Sequence, residues 1–401
     1  MSFAFHAAPP AGEWFNDPNG LVFADGAWRM FVQHSAAAPE FREIGWGRLS
    51  STDLLHWTWD GPVISPDAIG QAYSGSIVAQ DDDLTAYVTR HDNTLKRQGQ
   101  VKLTSQDGGA SWHQGPPLGP EGRNVRDPFV FFCAATGDWR MLIAEPCDWT
   151  RWADEAPSTL SVWHFDGKEW RFVSRIAGWF EPGVMCEVPV LVDFGSHQAL
   201  ILSTVDRRNG GSESAVRYWL GQFDGASFDV HSAPEDRLVD HGPDFYAAIV
   251  DTNTGREGDR TLVAWASSWD TARAMPWPCG IHGGPICLPR IVSLDAAAAR
   301  LVQRPIAGID PAATHHWDGH TPMTIPITGG DAAMTLTFGP RTLTVSRHGL
   351  GGLLDWERHD ASAFANSDAQ TIRVFMDAGL IEAFIEPAGL TVTAFVPGAR
   401  L

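Results

Sequence analysis

Several common signatures are missing from this 401-residue chain, and each absence removes a class of protein. The five cysteines, Cys133, Cys147, Cys186, Cys279 and Cys287, are odd in number and none forms a Cys-x-x-Cys pair. Neither a disulfide framework nor a zinc site is expected, and buried thiols are the simpler reading. Positive charge is scarce, with 29 Lys and Arg against 48 Asp and Glu, a net charge of −19 and no basic run. Such a surface repels a phosphate backbone, so nucleic acid and anionic membranes are not expected partners, whereas a small neutral substrate suits it. No apolar run nears the roughly 18 residues of a membrane span. The segment Met1 to Ala8 lacks the basic-then-apolar pattern of a signal peptide, and a cytoplasmic location is the expectation. Gly283-Gly284 and Gly351-Gly352 lack the strand-turn-helix setting of a phosphate loop. His315 and His316 have no matched acids nearby, so they read as solvated rather than as metal ligands.

What is present is β-structure. Runs such as Trp28 to Val32, Ala86 to Val88, Phe129 to Phe132, Ala199 to Leu202 and Thr261 to Trp265 are rich in β-branched and aromatic residues, with no helical periodicity to compete. A recurring turn pairs an Asp, usually followed by Gly, with a closing aromatic: Asp53 with Trp57, Asp107 with Trp112, Asp166 with Trp170, Asp224 with Phe228. The aromatics are 55, 58 and 58 residues apart. A four-stranded sheet with its turns needs about 40 to 60 residues, so the period suggests propeller blades around a central channel. A further strand-rich stretch from Asp244 to about Leu294 makes five. The run Asp295 to Arg300 breaks the pattern, and Pro305, Gly308 and Pro311 read as a linker. Alternation returns in Met334 to Phe338, Thr342 to Val345, Ile372 to Met376 and Ile381 to Ile385. The expected organisation is all-β: a five-bladed β-propeller over 1–300, a linker over 301–316 and a small C-terminal β-sandwich over 317–401.

Three carboxylates stand in short signatures: Asp17 in Trp14-Phe15-Asn16-Asp17-Pro18-Asn19-Gly20, Asp127 in Arg126-Asp127-Pro128, and Glu187 in Cys186-Glu187-Val188-Pro189. Singly, each reads equally well as a turn, salt-bridge or surface residue. Jointly they suit chemistry at an acetal carbon, which needs one carboxylate to attack, another to shuttle a proton and a polar site to hold the sugar. Their separations of 110 and 60 residues are close to two blades and one blade, which places them at equivalent inner-strand positions facing one channel.

These motifs resemble glycoside hydrolase family 32, the invertases, inulinases and levanases acting on β-fructofuranosides. Further matches are Phe31-Val32-Gln33, Trp46-Gly47, Ser51 to Trp57, Tyr73 to Ser76, Gly242 to Ala247, Leu288-Pro289-Arg290, and Ile372 to Phe384 with Asp377 and Glu382. The resemblance implies a five-bladed propeller and a retaining mechanism in which Asp17 is the nucleophile, Glu187 the acid/base and Asp127 the stabiliser binding fructose hydroxyls. It assigns substrate binding to Asn16, Gln33, Phe41, Trp46, Ser74 and Arg126, and it requires no cofactor and no metal. The chain departs from the family pattern with Phe15 for Met, Arg48 for His, Phe41 for a pocket-wall Trp, and Cys186-Glu187-Val188-Pro189 for Glu-Cys-Pro. The expectation is a β-fructofuranosidase acting on sucrose or short fructo-oligosaccharides; a fructosyltransferase or a non-catalytic fructan-binding protein are the alternatives. Arg48 is a candidate contact for a phosphorylated sucrose, and homo-oligomer formation is possible.

Overall fold

The four aspartate turns found in the sequence are hairpin turns held by their own carboxylates. Asp53 accepts from the amides of Leu55 and His56 at 2.9 and 2.8 Å, and Asp107 from those of Ala110 and Ser111 at 3.0 and 2.9 Å. Asp166 and Asp224 do the same two and three residues on. A side-chain oxygen that mimics a turn carbonyl explains why Asp recurs there. Hydrogen bonds inside each turn hold all four carboxyls below the usual carboxylate range. In the computed structural model each turn joins the third and fourth strands of a sheet. The structure describes residues 3–400 except 69, 81–82, 149–155, 209–212, 232–236, 253–257, 276, 310–313, 321, 340, 354 and 361–368.

Residues 14–305 form five successive antiparallel sheets. Their first strands are Trp14–Ala24, Gly70–Gln80, Arg126–Cys133, Val184–Asp193 and Tyr246–Val250. These five pack side by side in sequence order, and the fifth returns to the first. The amide of Thr252 donates to the Leu21 carbonyl at 3.0 Å and Trp14 bridges His282, which fastens the return. The fourth sheet has an additional short strand, Arg237–Leu238. Apolar side chains from the facing sheets fill the space between them.

The fifth turn corrects the expectation that the run Asp295 to Arg300 breaks the repeat. Asp295 accepts from the Ala298 amide at 3.0 Å, and Ala296 to Ala299 close a hairpin between Arg290–Asp295 and Arg300–Pro305. Ala299 takes a φ of 47° where other turns place glycine. The expected linker 301–316 is therefore strand at both ends: Arg300–Pro305 belongs to the fifth sheet, and Thr314–His320 pairs with Ala369–Asp377. Only 306–313 lies between, and 310–313 fall outside the described residues.

The C-terminal residues form two antiparallel sheets. Ile325, Ile327, Leu336 and Val345 from one and Ile372, Val374, Ile381 and Val392 from the other share one apolar core. Buried charge ties this unit to the fifth sheet. Arg290 is fully buried and donates to Asp240 at 2.8 Å and to Glu382 at 2.5 Å. Arg347 pairs with Asp244 in the same way. His6 sits between Asp377 and Glu382, at 2.9 and 2.8 Å. The acids of the two late motifs, Asp244 and Glu382, thus join the halves of the molecule. Among the described residues no helix is long and apolar enough to cross a membrane.

Candidate active site

Every inner strand carries a register irregularity near its start: Phe15 to Gly20, Tyr73 to Gly75, Arg126 to Phe129, Glu187 to Val190 and Tyr246 to Ile249. A bulge bends a strand and re-aims its side chains, so successive polar residues turn toward the channel rather than alternating strictly across the sheet. Asp127, Val188 and Ala247 hold positive φ angles of 60°, 48° and 53° at these points. Pro128 and Pro189 follow the first two and Pro18 sits in the first strand's irregularity, positions that proline tolerates because it has no N–H to lose from the ladder. Gly75 fills the corresponding place in the second sheet, where a Cβ would lie 1.9 Å from the Tyr87 carbonyl oxygen.

The bulges bring the three acids to one place. Asp17, Asp127 and Glu187 are all buried. Ser74 donates to Asp17 at 2.6 Å, and Asn16 donates to Asp17 at 3.1 Å and to Gln33 at 2.6 Å. Gln33 in turn donates to Ser74 at 2.5 Å, and Trp14 to Asn16 at 2.9 Å. Asn16, Gln33 and Ser74 therefore form a closed amide-hydroxyl ring that orients the first carboxylate. Asp127 accepts from the Val188 amide at 2.9 Å. Arg126 donates to Glu187 at 2.6 Å rather than pairing with its sequence neighbour Asp127, and Gln98 and Asn124 accept two more of its N–H groups. Tyr246, fully buried, donates to the other Glu187 oxygen at 2.6 Å.

Burial dominates the electrostatics. It pushes Asp17 up to about 6, with Ser74 opposing and the Glu187 charge adding. Burial and the Glu187 charge together push Asp127 up to about 8. Burial and neighbouring carboxylates thus both favour the protonated forms of Asp17 and Asp127.

A cleft of about 810 Å³ opens above, lined by Trp14, Phe41, Arg126, Glu187, Arg207 and Trp269 among others. Phe41 meets Trp269 edge-on at 5.2 Å and Trp14 at 5.8 Å, making an aromatic wall. Trp46 is fully buried and donates its N–H to the Tyr73 carbonyl at 2.9 Å. Arg48 is held by Asp60 and the Gly108 carbonyl at 2.9 and 3.0 Å, so its guanidinium is already paired. Tyr246 is the contact that sequence reasoning missed, although its motif, Gly242 to Ala247, had been singled out. Among the described residues no group of three His, Cys, Asp or Glu is arranged to hold a metal.

Comparison with solved structures gives the class first. The fold matches exo-inulinase from Aspergillus awamori with a TM-score of 0.80, at 21% identity over 98% of this chain and 93% of that one. Sucrose-6-phosphate hydrolase from Lactobacillus gasseri superposes with a TM-score of 0.79 at 19% identity, covering 99% and 88%. These are all-β enzymes of propeller type. Sequence gives the family: the profile "Glycosyl hydrolases family 32 N-terminal domain" matches residues 6–305, and the chain belongs to glycoside hydrolase family 32. Raffinose invertase of Escherichia coli is 30% identical over 76% of this chain and 65% of its own length. Levanase of Bacillus subtilis (strain 168) is 28% identical over 76% of this chain, which spans 47% of that relative. Sucrose-6-phosphate hydrolase of Klebsiella pneumoniae is 29% identical over 98% of this chain and 88% of its own length.

Proposed function

We propose that this protein is a retaining β-fructofuranosidase that releases terminal non-reducing fructosyl units from sucrose or short fructo-oligosaccharides. Its scaffold, in this reading, is a five-bladed β-propeller followed by a β-sandwich, and the propeller supplies the catalytic groups. The observation that carries the proposal is the meeting of Asp17, Asp127 and Glu187 at equivalent bulges of three inner strands, under one cleft.

An Asp17 oxygen attacks the anomeric carbon while the bond to the leaving oxygen breaks, and Glu187 gives that oxygen its proton. Glu187, now a carboxylate, takes a proton from water; the hydroxide attacks the same carbon and expels Asp17. Asp127 hydrogen-bonds to fructose hydroxyls through the oxygen that the Val188 amide does not hold. Asn16, Gln33 and Ser74 fix the attacking carboxylate, Arg126 and Tyr246 fix the proton donor, and Phe41 with Trp14 walls the sugar. The two carboxylates do the covalent and proton-transfer work without a cofactor.

The test is product analysis on sucrose, kestose, inulin and levan, with the anomer of released fructose followed before it mutarotates. The β-anomer supports double displacement. First release of the α-anomer, or turnover by pure Asp17→Asn or Glu187→Gln protein at the wild-type rate, sinks the assignment.

A further inference from the structure

A second groove, of about 570 Å³, lies across one face of the fourth sheet. It starts at Val184 on the inner strand, passes Thr204, Arg217 and Trp219, and ends at Val230 on the fourth strand. The loop before the inner strand roofs it with Trp179 and Phe180, which meet Trp219 at 4.9 and 5.9 Å. Both loop aromatics are only half-buried. A packing role alone does not need a Trp-Phe pair left part-open beside polar side chains.

We propose that this groove holds the distal units of a fructan chain whose terminal fructose occupies the cleft; the inference rests on the function proposed above. Proximity supports it. Arg207 lines the cleft and Arg208 the groove, and Val184 stands three residues before Glu187, about 10 Å along an extended strand. A short oligosaccharide spans that distance. The chemistry supports it too. Arg208 is paired with Asp206 at 2.6 Å and Glu181 at 2.8 Å, so its charge is matched and a neutral ligand is favoured over an anion. Aromatic faces flanked by hydroxyl and guanidinium groups are what a sugar ring stacks on and bonds to.

The test compares sucrose with the four-unit fructo-oligosaccharide nystose in wild type, Trp179→Ala and Trp179→Leu, the last keeping apolar volume without an aromatic face. Expected is a fall of about tenfold in kcat/KM for nystose with sucrose unchanged. Equal effects on both substrates, or none on nystose, overturn the inference. Calorimetry with nystose and the Glu187→Gln protein reads the groove independently of turnover: binding weakened about tenfold by Trp179→Leu supports it, and unchanged binding overturns it. Absence of wild-type hydrolysis with groove-dependent binding retained would refute the proposed reaction and leave the groove standing.

Discussion

Tyr246 on the fifth inner strand donates a 2.6 Å hydrogen bond to Glu187 on the fourth, opposite the 2.6 Å bond from Arg126 on the third. Glu187 is thus held from both sides by groups that come from different sheets. A proton donor fixed this way faces its leaving group with little reorganisation. Tyr246 is a positioning residue, and Tyr246→Phe is expected to lower kcat about tenfold to a hundredfold with KM nearly unchanged. Steady-state kinetics on sucrose check this. A rise in KM alone would mean that the hydroxyl binds substrate instead.

The acid limb of the rate profile belongs to Asp17 in this mechanism. Its carboxyl must be ionised to attack, and burial has moved it to about 6. Activity is therefore expected to rise with pH through about 6. Ser74 donates to the ionised form and holds the value down, so Ser74→Ala moves the limb to higher pH by about 0.5 to 1 unit. A profile of kcat/KM from pH 4 to 8 reads the shift, and an unmoved limb would assign it to another group.

Asp17 also carries a stability cost. A carboxyl raised from 3.8 to about 6 binds its proton more tightly folded than unfolded, so its effect on stability worsens as pH rises from 3.8 through 6. At 1.36 kcal/mol per unit the upper bound is about 3 kcal/mol at neutral pH. Asp17→Asn should then raise the urea midpoint at pH 7.5 while abolishing turnover, with the gain shrinking toward pH 4. A variant destabilised at pH 7.5 would show that the Ser74 and Asn16 bonds outweigh burial.

Much of this was legible in the chain. The three acids stood out because each lies one or two residues before a proline in a short signature, and those prolines mark the bulges that aim them. Four sheets were legible because an Asp-led turn with an aromatic partner recurs. The fifth was read from its strand-rich stretch alone, and its closing turn was missed because Ala296 to Ala299 replace the glycine and Arg300 the aromatic, so only the Asp295 cap remains of the pattern. Tyr246 lies in the buried run Tyr246 to Val250 and looks like core until its hydroxyl is placed. Trp46 and Arg48 were drawn toward the site by a motif, which gives no sign that their polar atoms are engaged by Tyr73, Asp60 and Gly108. The ion cluster between the halves has partners such as Arg290 and Glu382, 92 residues apart, and no local signal announces such a pair.

His6 makes that cluster sensitive to pH. Burial opposes its charge, but hydrogen bonds to Asp377 and Glu382, backed by their charges, leave it raised from its ordinary 6.5. Glu382 also binds Arg290, and Asp377 accepts from the amides of Ala4 and Phe5, so the protonated ring joins the N-terminal segment to the C-terminal strands. A raised histidine contributes fully below its unfolded value and loses that contribution as pH climbs through its folded value. His6→Gln keeps neutral bonding to one or both acids but cannot carry charge. The difference in unfolding free energy between wild type and His6→Gln should therefore be largest below pH 6.5 and decline above it. Urea titrations from pH 5.5 to 9 measure it. A difference that stays constant across that range would mean the ring acts only by shape and neutral hydrogen bonding. A difference that declines would make the histidine the proton-dependent part of the joint, because both Arg290 and the carboxylates keep their charges throughout the same window.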